Sequence, residues 1–232
     1  MELSKRLYAV AGLVTEGASV ADVGTDHGYI PIYLVKHQIA SKALALDINE
    51  GPLQRARFHI IGHGLKDQIE TRLSDGLSKV RPGEVGTMIA AGMGGNLIIR
   101  ILSEGRSVVD TLSSCILQPQ SEPEKVRRYL GENGLMIEDE DMVEEDGKFY
   151  PMMRVIHGTP EPCEDYEYVY GKKLLQKRHP VLHRFLLREK GIQESILEQL
   201  ARRTESESAR HREAEILRER KLTQRALKSY GG

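Results

Sequence analysis

The chain has 232 residues, 40% of them hydrophobic and 29% charged, and a formal net charge of −1, which suits one α/β domain of ordinary size with a small appendage. No apolar run is long enough for a membrane-spanning helix, so no membrane partner is expected, and the polar start Met1-Glu-Leu-Ser-Lys-Arg6 lacks a signal-peptide core, so a cytoplasmic location is expected. Cys115 and Cys163 are too few and too unpatterned for a disulfide framework or a zinc site, so no metal is expected.

In chain order, the first informative element is an apolar strand at Ala18-Ser-Val-Ala21, which runs into Asp22-Val-Gly-Thr-Asp-His-Gly28 and then a helix over Tyr29 to Gln38. Gly24 and Gly28 let the backbone bend sharply and approach a ligand, and the helix N-terminus offers unpaired N–H groups. The middle glycine of a dinucleotide fingerprint is absent, and Asp26 stands in its place. A second strand, Ala43-Leu-Ala-Leu-Asp47, ends in the carboxylate that an open α/β sheet uses to accept ribose hydroxyls, with Ile48 behind it. A third, Ile69 to Leu73, leads to Ser74-Asp75-Gly76, where a carboxylate can meet an exocyclic amine of adenine. An acid at Asp26 would repel a pyrophosphate, whereas S-adenosylmethionine carries no phosphate but an ammonium and a sulfonium. The acids therefore favour S-adenosylmethionine over a nicotinamide dinucleotide. The predicted cofactor residues are Asp22, Gly24, Thr25, Asp26, Gly28, Asp47, Ile48, Ser74, Asp75, Gly76, Ala91 and Gly92.

A fourth buried strand, Gly86 to Ala91, runs into Gly92-Met-Gly-Gly95 and an apolar helix from Asn96 to Leu102. Ligands bind outside the carboxyl ends of such strands, so this second glycine-rich segment is expected to face the first across a cleft. A fifth strand, Ser114 to Leu117, ends in Gln118-Pro-Gln-Ser121. Glu124 to Leu130 reads as a helix, and Leu135 to Met142 with Phe149 to His157 as a hairpin around Glu144-Glu-Asp-Gly147.

Pro151, Gly158, Pro160 and Pro162 then punctuate the chain, which predicts a catalytic domain over 1–160 and a helical domain over 161–232. From Pro180, the residues Leu182, Phe185, Leu186, Ile192, Ile196 and Leu200 form an apolar stripe. Thr204-Glu-Ser-Glu207 has capping-box spacing, and a second helix from about Glu205 to Lys228 offers Ala214, Leu217, Leu222 and Ala226. Two such stripes predict an antiparallel helical hairpin, with one unbroken helix as the alternative. Residues 1–160 hold 17 Lys and Arg against 22 Asp and Glu, and residues 161–232 hold 16 against 12. The basic tail suits a polyanion, although a solvated helix pair also carries charges of both signs.

The string Asp22-Val-Gly-Thr-Asp-His-Gly-Tyr-Ile-Pro31, with Ala45-Leu-Asp47, Ser74-Asp-Gly76, Ala91-Gly-Met-Gly-Gly95 and Gln118-Pro-Gln120, resembles the bacterial tRNA (adenine-N1)-methyltransferases of the TrmK family. The resemblance spans about the first 160 residues; the tail matches in helical character rather than motif. It implies a class I methyltransferase fold, a Rossmann-like sheet of seven strands whose last two form an antiparallel hairpin. It also implies S-adenosylmethionine as cofactor and adenine 22 of tRNA as substrate.

The N1 atom of adenine has an in-plane lone pair and no proton, so its methylation needs positioning and an environment that favours positive charge, with no obligatory base. The Asn/Asp-Pro-Pro-aromatic loop common in exocyclic-amine methyltransferases is absent after the fourth strand. Asp26, His27, Tyr29 and Met93 are the candidates for catalytic and base-contacting roles; His27 alternatively caps local backbone, Tyr29 packs on the sheet edge, and Met93 fills core. Gln118 and Gln120 either bond the base edge or serve structure, and Asp22 is expected to organise the glycine turn by accepting from backbone N–H groups. Arg6, Arg55, Arg57 and His59, and the denser group Lys172, Lys173, Lys177, Arg178 and Arg184, are candidate phosphate contacts or ordinary surface charge. The acidic runs Glu138 to Asp141 and Glu144 to Asp146 mark a face turned from RNA, or simply a solvated hairpin. A non-catalytic RNA- or protein-binding module and a small-molecule methyltransferase or nicotinamide oxidoreductase are the alternative readings.

Overall fold

In the computed structural model, residues 2–202 and 206–231 are described. The chain forms two compact units, Met1–Glu161 and Pro162–Gly232.

The first unit is built on one seven-stranded sheet of β1 (Ala18–Val23), β2 (Ala40–Asp47), β3 (Ile69–Leu73), β4 (Thr87–Gly94), β5 (Ser114–Ser121), β6 (Leu135–Glu145) and β7 (Lys148–His157), in the order β3-β2-β1-β4-β5-β7-β6. The first five strands run parallel, and β7 is antiparallel to both β5 and β6. Side chains alternate across the central strands: Val20 and Ile89 enter one apolar cluster, Ala21, Met88 and Ala90 the other. The first cluster is shared with Val10 of α1 (Lys5–Gly12), Ile30 to Val35 of α2 (Tyr29–Lys36), and Ala56 and Ile60 of α3 (Glu50–Gly62). The second holds Ile98 and Leu102 of α4 (Gly95–Glu104), Val108 of α5 (Arg106–Val109) and Val126 and Leu130 of α6 (Pro123–Glu132). Both sheet faces are therefore covered, which is why β1, β2, β4 and β5 are apolar nearly throughout.

The seven strands and the closing antiparallel hairpin agree with the sequence reading. Several features differ, among them β5, which runs on through Gln118-Pro-Gln120 to Ser121, and the short helices over Arg106–Val109, Asp165–Tyr170 and Lys172–Gln176. Helices α1 and α3 are additional: Ser4 caps α1 by accepting from the Leu7 N–H, and α3 anchors itself through Leu53, Ala56 and Ile60. Strand β4 does not stop at Ala91. Gly92, with φ +79°, takes up a slip in register, after which Met93 pairs with Pro119 and Gly94 with Ser121. The hairpin strands also reach further than expected, because Asp146 (φ +50°) and Gly147 (φ +70°) make a two-residue turn with both central residues left-handed.

The acidic hairpin is not simply a solvated face. Glu140 is buried and accepts from Arg127 Nε at 2.8 Å, and Glu138 pairs with Arg154 at 2.6 Å.

The second unit contains α7 (Asp165–Tyr170), α8 (Lys172–Gln176), α9 (Pro180–Ala201) and α10 (Glu207–Leu227), followed by a short 3-10 turn at Lys228–Tyr230. Gln193 meets Thr223, and His179 meets Tyr230, so α9 and α10 run antiparallel. Thr223 Oγ1 gives its one proton to Glu219 O; Tyr170 O–H and Gln193 Nε2 therefore donate to it, at 2.8 and 2.9 Å. The buried seam is Leu182, Leu186 and Gln193 against Ile216, Thr223 and Ala226. Three stripe expectations are corrected: Ile192, Ala214 and Leu217 are exposed, while Gln193 and Ile216 lie inside, where the Gln193 amide nitrogen bonds Thr223 and its Oε1 stays buried without a hydrogen-bond partner. Thr204 and Glu205 of the expected capping box lie outside the described residues; Ser206 caps α10 by accepting from Ala209 N.

Candidate active site

The strand order reverses direction between β1 and β4, and the carboxyl ends of both strands open on a cleft of about 260 Å³. It is lined by Asp22, Gly24, Asp26, His27, Tyr29, Ile30 and Ala91, with Arg6 and Leu7 from α1. A larger hollow of about 370 Å³ lies at the opposite ends of the strands, around Lys42, Lys66, Glu70 and Glu84. Two of its three acids, Glu70 and Glu84, are already engaged by Arg72, at 2.8 Å each.

Asp22 sits at the tip of β1 with 6% of its surface exposed. Burial pushes its carboxyl up to about 7; the Thr25 side chain works against that rise and the charge of Asp47 adds to it. The expected bonds from the glycine turn to Asp22 are not what holds the turn. The N–H groups of Gly24 and Thr25 both donate to Leu46 O at 2.8 Å, which ties the turn to β2. Thr25 Oγ1 and His27 Nδ1 are buried without a hydrogen-bond partner of normal geometry.

Gly24 (φ +74°) and Gly28 (φ +69°) are glycines for torsional reasons, and at Gly28 the short side chain of Ala56 adds a steric one. A Cβ on Gly24 would overlap the Met93 methyl, and one on Gly28 would stand 3.3 Å from the Ala56 Cβ. Met93 thus closes the space over the first turn while its shaft packs on the core.

Between these glycines, α3 grips the turn at two points one helical turn apart. Arg55 donates to Asp26 Oδ1 from Nη2 at 2.8 Å and from Nε at 3.2 Å. His59 Nδ1 donates to the His27 carbonyl at 3.0 Å, and the His59 ring lies nearly parallel to those of His27 (5.3 Å) and Tyr29 (5.6 Å). His27 and Tyr29 stack on each other at 5.1 Å, and Asp26 Oδ1 reaches His27 Nε2 at 3.5 Å. His27 is held at φ +61°, a conformation uncommon for a residue with a Cβ, which the grip from α3 over-determines.

The remaining predicted residues divide. Asp47 ends β2 and accepts from Asn49 N with Oδ1 at 2.7 Å, and Ile48 beside it is 57% exposed. Asp75 is exposed and bound by Arg100 of α4 at 3.0 and 3.3 Å. The Ser74 hydroxyl is turned into its own loop, donating to Gly76 O, and Gly76 packs on Ile101. Gln118 is fully buried; its Oε1 accepts from Gly92 N at 3.1 Å and Arg6 Nη1 at 2.8 Å, and its Nε2 donates to Pro119 O. It sets the second glycine segment and aims Arg6, whose guanidinium also lies 5.6 Å from the Tyr150 ring centroid. Gln120 is exposed, near Gly92. Arg57 lies on α3 and donates to Thr71, and the Lys and Arg of the tail group belong to the second unit.

The family model described as a methyltransferase domain matches residues 3–153. The tRNA (adenine(22)-N(1))-methyltransferase of Bacillus subtilis (strain 168) is 32% identical over 221 residues, which cover 93% of this chain and 93% of that one. The chain belongs to the tRNA (adenine(22)-N(1))-methyltransferase family. Among solved structures, a Streptococcus pneumoniae protein in complex with S-adenosyl-L-methionine is similar with a TM-score of 0.87 and 32% identity, covering 97% of this chain and 100% of that chain. The M. capricolum TrmK in complex with S-adenosyl-homocysteine is similar with a TM-score of 0.84 and 25% identity, covering 99% of each. In this family member, Arg6, Arg55 and His59, expected as phosphate contacts or surface charge, are instead bonded to Gln118, Asp26 and the His27 carbonyl, and Leu7 is a cleft residue that the sequence reading did not name. The helical signal of α1, a Ser4 cap ahead of Leu7, Val10 and Ala11, was available for Arg6 and Leu7; nothing local marks the bonds of Arg55 and His59.

Among the described residues no helix is long and apolar enough to cross a membrane, and no cluster of His, Cys, Asp and Glu could hold a metal ion.

Proposed function

We propose that this chain transfers a methyl group from S-adenosylmethionine to N1 of adenine 22 in tRNA. The observation that carries the proposal is the convergence of Asp22, Asp26, His27, Tyr29 and Arg6 on one cleft at the reversal point of the sheet.

The cleft residues fit the cofactor by charge and by shape. Arg6 offers a counter-charge to the carboxylate at its amino-acid end, and Asp22 offers one to its ammonium. Asp47 is placed for the ribose hydroxyls, the exposed Ile48 for a face of adenine, and the orphaned Thr25 hydroxyl for a polar atom of the ligand. Asp75 has lone pairs beyond those taken by Arg100 with which to meet the adenine amine. A pyrophosphate at the first glycine turn would instead meet the carboxylate of Asp26, which argues against a nicotinamide dinucleotide. Bound there, S-adenosylmethionine supplies an electrophilic methyl on its sulfonium.

The protein's own part is positional and electrostatic. The N1 lone pair lies in the ring plane, so no side chain has to remove a proton before attack. The ring becomes cationic as the bond to N1 forms, and the carboxylate of Asp26, fixed by Arg55 at the lip of the cleft, favours that charge. Tyr29 and His27 form a flat aromatic wall on which a flipped adenine can lie. Met93 borders this space and helps to exclude water. The second unit, with 16 Lys and Arg against 12 Asp and Glu over residues 161–232, supports a role in holding the polyanion.

The test is nucleoside analysis by mass spectrometry of unmodified tRNA incubated with the protein and S-adenosylmethionine. The proposal expects 1-methyladenosine; N6-methyladenosine alone, or no methylated nucleoside, would contradict it.

A further inference from the structure

A continuous series of ring contacts leads from the cleft to the molecular surface. Tyr29 and His27 stack with His59, and His59 meets Phe58 edge-on, with ring centroids 5.8 Å apart at 60°. Phe58 is 76% exposed, more than any other large hydrophobic side chain among the described residues. The core does not require it, since α3 anchors itself through Leu53, Ala56 and Ile60. On the helix surface Arg55 precedes Phe58 by three residues and Ile61, 58% exposed, follows by three, so all three share one face. Arg57 stands beside them, held by a hydrogen bond to the Thr71 hydroxyl and by no carboxylate closer than 4.0 Å.

An adenine turned out of its stack to reach the cleft leaves its neighbour with one bare face. A ring standing in water between two arginines, at the rim of the site, has the chemistry to cover that face. Base–aromatic stacking tolerates any base, and arginines supply the attraction for the flanking phosphates. Two apolar side chains are also too small a patch for a stable protein–protein interface.

We infer that Phe58 is a stacking platform for the nucleotide next to the target adenine, with Arg55 and Arg57 facing its phosphates. The inference rests on the proposed function, and its test separates the two. The full-length protein and its Phe58→Ala, Phe58→Trp and Phe58→Leu variants are compared for binding of unmodified tRNA without cofactor, for methylation kinetics, and for S-adenosylmethionine affinity. Phe58→Ala is expected to weaken tRNA binding and raise the KM for tRNA by about tenfold or more, with kcat and cofactor affinity within about twofold of the parent. Phe58→Trp restores both and Phe58→Leu restores neither. Wild-type tRNA affinity in Phe58→Ala, or equal rescue by leucine, would overturn the inference, as would a dimer in sedimentation that Phe58→Ala dissociates. Phe58-dependent tRNA binding by a protein that methylates no tRNA would refute the function while leaving the platform standing.

Discussion

Replacing Asp22 by asparagine isolates the cost of holding a carboxyl group inside the tip of β1. Asp22 is buried, and its carboxyl is pushed from 3.8 up to about 7, chiefly by burial. The folded state therefore keeps this proton over a range where the unfolded chain has lost it. Stability from this group is fully present below about pH 4 and is lost as the pH rises to about 7, at about 1.4 kcal/mol per pH unit. Asparagine has nearly the same shape and no such titration. Between pH 5 and pH 8 the difference in unfolding free energy between the two proteins should accordingly move by about 3 kcal/mol in favour of Asp22→Asn. Urea unfolding without cofactor at the two pH values measures it. A difference constant to within about 0.5 kcal/mol would show that Asp22 is ionised throughout, and the reasoning from burial would fail. The same variant should lose cofactor affinity at pH 8, where only the parent offers a negative charge to the ligand's ammonium.

Asp47→Ala removes the proposed ribose acceptor and should weaken S-adenosylmethionine binding about a hundredfold by calorimetry, with the fold retained in circular dichroism. Glu140→Ala removes the buried carboxylate that Arg127 Nε bonds at 2.8 Å and should cost about 3–5 kcal/mol in urea unfolding, whereas Glu140→Ala with Arg127→Met should recover much of that loss. His59→Ala frees the His27 carbonyl and should lower kcat about tenfold while the cofactor Kd stays within about twofold. His59→Gln, which keeps a donor, should regain part of the rate; an unchanged kcat in His59→Ala would mean that the turn holds its own shape.

The elements most legible in the sequence are those whose cause is local. Buried parallel strands read as apolar runs, and the acids at the carboxyl ends of β1 and β2, Asp22 and Asp47, could be named because the apolar runs stop there, whereas β4 runs on past Ala91 to Gly94. The helix α3 was not legible. Gly51 and Pro52 stand in its first turn and only Leu53, Ala56 and Ile60 mark its inner face, so packing against β2 and β3 rather than propensity makes it a helix. Its contribution to the site is therefore hidden as well: His59 reaches His27 across 32 positions, and no spacing rule joins them. Gln118 was visible at the right edge, but only the fold reveals that its amide is consumed by Gly92, Arg6 and Pro119. In the tail, periodicity placed two helices correctly but misjudged Ile192 and Leu217. A seam that closes on the Gln193–Thr223–Tyr170 bonds does not follow hydrophobicity alone.

The most direct measurement is primer extension on a tRNA transcript treated with this protein and S-adenosylmethionine, beside a transcript in which adenine 22 is replaced by guanine. A methyl group on N1 blocks the pairing edge of the base, so an arrest next to position 22 in the first transcript and none in the second is predicted. Arrest elsewhere, or methyl incorporation that survives the replacement, would contradict the assignment.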